Sequence, residues 1–69
     1  MKLENTLKIW RAKKNVTQQE LADAIGVSRQ TINAIELGKF NPSVMTALNL
    51  AAFLGATVEE LFQVTGEGR

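Results

Sequence analysis

The sequence predicts an all-α fold, a small bundle of helices, and three observations carry that expectation. Apolar residues recur at helical spacing along most of the chain, capping residues and glycines interrupt them at short intervals, and the single proline falls between two such stretches. Leu3, Leu7, Ile9 and Trp10 predict a first helix over 3–13, ending near Asn15, whose short side chain tolerates a left-handed helix terminus. Thr17 and Glu20 form the T-x-x-E capping box of a second helix over 18–25, with Leu21, Ala24 and Ile25 as its apolar positions. Gly26 follows where a chain leaving a helix needs positive φ. Ser28, after Val27, can cap a third helix over 29–37, which Gly38 stops. Lys39 to Pro42 read as a loop. A fourth helix, 43–54, has Thr46 and Asn49 as its plainly polar positions, which predicts burial on most sides, and Gly55 ends it. Thr57 and Glu60 make a second capping box for a fifth helix over 58–63, with Val58, Leu61 and Phe62 inward and 65–69 as a frayed tail.

The second and third helices, joined through Gly26, form a tight corner. Ala22 is small enough to let the two cross closely. With successive residues roughly 100° apart, Ile32 and Ile35 fall on one side of the third helix, and Arg29, Gln30, Asn33 and Ala34 on the other. The apolar side must face the protein, so the polar side faces out. Arginine pairs bidentately with guanine, and glutamine or asparagine with adenine, so Arg29, Gln30 and Asn33 are candidate readers of base edges in a DNA groove.

The segment TQQELADAIGVSRQTINAIELGK, followed by FNPS and a further apolar helix, resembles the Cro/C1-type helix-turn-helix family, the XRE-type regulators of bacteria, phages and archaea. The likeness spans roughly residues 5 to 62. It implies a compact five-helix bundle, the lambda-repressor-like DNA-binding domain, and a regulator that binds double-stranded operator DNA, mostly as a homodimer. The resemblance also gives Gln18 a phosphate contact, which the positive end of its helix would assist. Thr17, Ser28, Thr31, Lys39, Phe40 and Asn41 are further candidates for the DNA backbone. It assigns Arg11 and Glu36 a partly buried ion pair that orients the reading helix. Met45 and Ala52 depart from the family by lacking charge. Together with Asn49, Phe53, Phe62 and Val64 they form a candidate homodimer interface, and a symmetric dimer would place its reading helices about 34 Å apart on a palindromic operator. Leu37 is the other departure, an aliphatic where relatives carry a polar residue.

Composition narrows the functional classes. A chain of 69 residues is expected to be one domain spanning 1–69, small enough that about 60% of its unfolded surface can be buried. Cysteine and histidine are both absent, so no thiolate or imidazole can hold a metal or serve as a base. No metal, cofactor or catalytic residue is therefore expected, and an enzyme is not. No apolar run approaches the roughly 20 residues needed to span a bilayer, and a cytoplasmic protein without membrane contact is expected. Net charge is +1, yet residues 1–40 hold seven Lys/Arg against four Asp/Glu, while 41–69 hold one against three. The basic half coincides with the helix-turn-helix, as a phosphate-facing side would. The leading expectation is a sequence-specific transcriptional regulator, a repressor that occludes polymerase. The alternatives are an antitoxin or restriction-control protein of the same fold with an unidentified protein partner, or a protein-interaction module without operator binding.

Overall fold

A computed structural model describes residues 1–66 of the chain. Two short strands and five helices follow one another as β1 (Lys2–Asn5), α1 (Leu7–Lys14), α2 (Gln18–Ile25), α3 (Arg29–Glu36), α4 (Val44–Leu54), α5 (Val58–Leu61) and β2 (Phe62–Thr65). Leu7, Leu21, Ala22, Ile32, Leu50, Leu54 and Leu61 are fully enclosed, so all five helices contribute to one core. Local chemistry accounts for the helix starts. Thr17 Oγ1 accepts from the Glu20 amide at 3.0 Å while Glu20 Oε1 accepts from the Thr17 amide at 2.8 Å, and Thr57 and Glu60 repeat the arrangement. Ser28 and Ser43 cap α3 and α4 by accepting from the amides of Thr31 and Thr46.

The strands are the main difference from the sequence expectation. The helix expected over 3–13 begins at Leu7 and runs to Lys14, because residues 2–5 are drawn into a sheet. β1 pairs antiparallel with β2, placing Lys2 opposite Thr65, Leu3 opposite Val64, Glu4 opposite Gln63 and Asn5 opposite Phe62. The helix expected over 58–63 accordingly stops at Leu61, and Thr65 is a strand residue rather than part of a frayed tail. Residues 67–69 of that expected tail lie outside the described residues. Leu3 and Leu7 are spaced as on a helix, but the backbone partner for the first strand lies some 60 positions away, where no local periodicity can register it. Asn5 then replaces the missing helical turn. Its Oδ1 accepts from the amide of Leu7, the first residue of α1, at 3.1 Å, and its Nδ2 donates to the Ile35 carbonyl at 2.9 Å.

The remaining differences are smaller. α3 ends at Glu36 with Leu37 as its cap, and α4 starts at Val44 after Ser43. Ile9 points to solvent, and Trp10 is half-buried beneath the Lys13 ammonium, 4.5 Å from the ring centre. The burial expected on most sides of α4 is not what forms. Ala47, Leu50, Ala51 and Leu54 face the core, whereas Val44, Met45 and Leu48 are 76%, 72% and 55% exposed.

Candidate nucleic-acid interface

The corner between α2 and α3 sets the geometry of the site. Gly26 ends α2 at φ 79°, and its amide returns to the Ala22 carbonyl at 2.9 Å. Two residues later Ser28 starts α3 in a new direction. Ala22 is fully buried and admits close approach, while Ile32 and Ile35 anchor α3 against the core. The opposite flank is thereby held outward: Arg29 and Gln30 are exposed, and Asn33 and Ala34 are half-buried.

Behind that flank lies a connected polar network. Arg11 Nε donates to Glu36 Oε2 at 2.8 Å, Nη2 donates to Oε1 at 3.4 Å, and Nη1 donates to the Val16 carbonyl at 3.1 Å. The two side chains are only 18% and 7% exposed, so the ion pair is largely withdrawn from solvent. Gln18 joins it from the first turn of α2. Its Nε2 donates to Glu36 Oε1 at 3.0 Å and to Asn33 Oδ1 at 3.1 Å. Helices α1, α2 and α3 are thus tied by side chains at one end of the reading flank. The sequence gives no signal of this link between Gln18 and Asn33, because it depends on how α2 and α3 cross rather than on spacing within either.

The other backbone candidates are placed as follows. Thr17 is engaged in its capping box at the start of α2. Ser28 and Thr31 lie side by side, their hydroxyls 2.9 Å apart. Lys39, Phe40 and Asn41 follow α3 and are all exposed, with the Lys39 amide spent on the Ala34 carbonyl at 2.9 Å. Among the described residues, the amides of Phe40 and Asn41 have no hydrogen-bond partner. The Lys14 ammonium lies beside Gly55, so its charge sits by the C-terminus of α4.

The candidate dimer residues divide. Met45, Asn49, Ala52, Phe53 and Val64 are exposed, whereas Phe62 is only 9% exposed and belongs to the core. Phe62 therefore has to be removed from that surface: pairing of β2 with β1 turns its ring inward. Val44 and Leu48, overlooked by the sequence reading, join Met45 and Ala52 on the outer face of α4. The spacing of 44, 48 and 52 was the available signal. Among the described residues no group of His, Cys, Asp and Glu is arranged to hold a metal, and no helix is long and apolar enough to cross a membrane.

A tight two-helix corner presenting a polar flank, inside a five-helix core, defines a helix-turn-helix protein. The helix-turn-helix family model matches residues 7–61, and the chain belongs to that family of Cro/C1-type transcriptional regulators, which are not enzymes. An uncharacterised HTH-type transcriptional regulator of Methanocaldococcus jannaschii is 50% identical over 60 residues, covering 87% of this chain and 91% of the relative. A second such regulator, from Archaeoglobus fulgidus, is 43% identical over 60 residues, covering 87% and 84%. Among solved structures, the restriction-modification controller protein C.AhdI from Aeromonas hydrophila superposes with a TM-score of 0.73 at 31% identity, covering 78% of this chain and 82% of that one.

Proposed function

We propose that this protein is a sequence-specific regulator of transcription that lays α3 in the major groove of double-stranded operator DNA. The observation that carries the proposal is the outward flank of α3: Arg29, Gln30 and Asn33 stand opposite two buried isoleucines, which fix the face of the helix that meets solvent. Arg29 and Gln30 offer the donor and acceptor patterns that pair with base edges. The backbone amide of Gln18 at the positive end of α2 on one side, and Lys39 with the amides of Phe40 and Asn41 on the other, are positioned to grip the flanking phosphates, the Gln18 side chain being held by Glu36 and Asn33. Ser28 and Thr31 add hydroxyls along the same edge, and Thr17 stands beside Gln18.

The protein acts as a homodimer on a palindromic operator, through the apolar outer face of α4 formed by Val44, Met45, Leu48 and Ala52, flanked by Asn49 and Phe53. Support comes from the continuity of that face and from its exposure. The match of the family to 7–61 supports a single domain over 1–69 working in the cytoplasm. Repression is the favoured direction of control, since a protein seated in the major groove of its operator occludes polymerase there. Likeness to a restriction-modification controller favours one second reading, control of a restriction system. The genes beside the selected operator distinguish the two.

Operator selection from randomised duplexes tests the proposal. The wild-type protein should enrich a two-fold symmetric sequence, and Gln30→Ala should erase preference at one position of each half-site. Enrichment of nothing, with weak binding indifferent to Gln30→Ala and Arg29→Ala, would refute it.

A further inference from the structure

We propose that Ala34 and Leu37 make the later half of the reading flank an apolar seat for the C5 methyl group of a pyrimidine, so that each half-site carries a thymine recognised by its methyl. The inference rests on the operator-binding reading above and adds a determinant of sequence preference to it.

The outward flank of α3 changes character along its length. With residues roughly 100° apart, Gln30 stands almost opposite the midpoint between Ile32 and Ile35, Leu37 falls about 20° from Gln30 two turns later, and Ala34 about 40° to its other side. Leu37 keeps helical torsions as the cap of α3, φ −81° and ψ −4°, and so stays on this line. Arg29, Gln30 and Asn33 bring polar groups to the first part of the flank, whereas Ala34 and Leu37 bring none. Leu37 is 59% exposed, and Ala34, three positions before it, is its neighbour on the helix surface. The core takes neither side chain, since Ile32 and Ile35 fill the inner side. The Ala34 carbonyl accepts from the Lys39 amide at 2.9 Å, which ties the chain leaving the helix back to this last turn.

An apolar surface satisfies neither a donor nor an acceptor. The amino group of adenine or cytosine, or the O6 of guanine, pressed against it would lose water and gain no partner. The thymine methyl, which projects into the major groove, exchanges water for an apolar contact instead. The side chain of Ala34 is a single methyl, short enough to admit the base methyl beside it, and Leu37 covers the far side. From Gln30 to Ala34 the helix advances about 6 Å, against about 3.4 Å of rise per base pair, so the methyl belongs to a pair within two steps of the one that Gln30 reads. The recognised feature is the methyl and not thymine as a whole. A 5-methylcytosine presents the same group, so binding responds to cytosine methylation at that pair.

The test uses the selected operator. Each thymine within two pairs of the position lost in Gln30→Ala is replaced in turn by deoxyuridine, which lacks only the methyl. At one of them in each half-site the wild-type affinity should fall about fourfold, the contribution of one buried methyl. With cytosine placed at that position, adding its 5-methyl group should raise affinity by the same factor. Ala34→Gly should bring both ratios close to one while preference at the Gln30 pair persists. Leu37→Asn, a change at an exposed cap that leaves the core untouched, should lower both ratios, and it carries the comparison if glycine unsettles the helix. An operator with preference at the Gln30 pair but no thymine nearby that responds to loss of its methyl overturns the proposal. So do methyl ratios undiminished in Leu37→Asn, which would assign the contact to another residue. Both outcomes leave the regulator reading standing, whereas failure to enrich any operator removes it and the proposal together.

Discussion

Replacing Glu36 by alanine should cost about 3 kcal/mol of stability, because it strands a guanidinium that the fold has largely enclosed. Breaking a buried ion pair from one side costs roughly 3–5 kcal/mol. Arg11 keeps 18% of its surface and one bond to the Val16 carbonyl, so its charge is only partly abandoned and the lower end of that range applies. Gln18 loses an acceptor in the same change, but as a half-buried neutral amide it adds about 1 kcal/mol at most. For a chain of this size 3 kcal/mol corresponds to a fall in Tm of about 12–24 °C. Glu36→Gln preserves shape and one acceptor, and should cost about 1–2 kcal/mol. The measurement is urea unfolding of Arg11→Ala, Glu36→Ala and the double variant. Because the double variant contains neither charge, it should be more stable than the sum of the single losses implies, by at least about 1 kcal/mol. A loss below about 1 kcal/mol for Glu36→Ala, or strict additivity of the pair, would show that the network does not hold the reading helix in the way its geometry indicates.

Three further outcomes follow from other parts of the molecule. A side chain at Gly26 would meet no atom within 4 Å, so Gly26→Ala should be penalised by backbone torsion alone, about 1–2 kcal/mol in thermal or chemical unfolding, and a much larger loss would mean that the corner is crowded. Met45→Glu should turn a dimer into a monomer in sedimentation at micromolar concentration while leaving helical content intact, and a wild-type monomer both with and without operator would dispose of the α4 interface. If Lys39 grips one phosphate, Lys39→Ala should weaken binding evenly across sequences and reduce the slope of log affinity against log salt by about 0.9, whereas a change in sequence preference would place it at a base instead.

What could be read from the sequence was whatever depends on neighbours three or four positions apart. Thr17 with Glu20, Ser28 with Thr31 and the positive φ of Gly26 each follow from a local rule, and together they suffice to place α2, the corner and α3. The ion pair of Arg11 with Glu36 required family likeness, since nothing in the spacing of 25 positions implies contact. The sheet escaped detection because each strand has four residues and its partner lies at the other end of the described chain. Phe62 was given two roles, an inward position and a dimer contact, and its burial leaves only the first. The α4 face was misread differently: apolar content alone does not tell a buried helix from one awaiting a partner, and only the distribution of Val44, Met45 and Leu48 around the axis separates the two. The orientation of Asn33 had no local signature at all, being imposed from two other helices.

The pairing of β1 with β2 has a mechanical consequence. It joins positions 63 apart in an antiparallel clasp, so closing it in the unfolded chain would cost at least about 3.7 kcal/mol in loop entropy, and its few bonds become favourable once the helices have brought the ends together. The clasp should consequently be the last piece to zip and the first to open. Tension applied at Lys2 and Thr65 would peel its rungs singly rather than shear them together, making this the weak seam of the molecule under load.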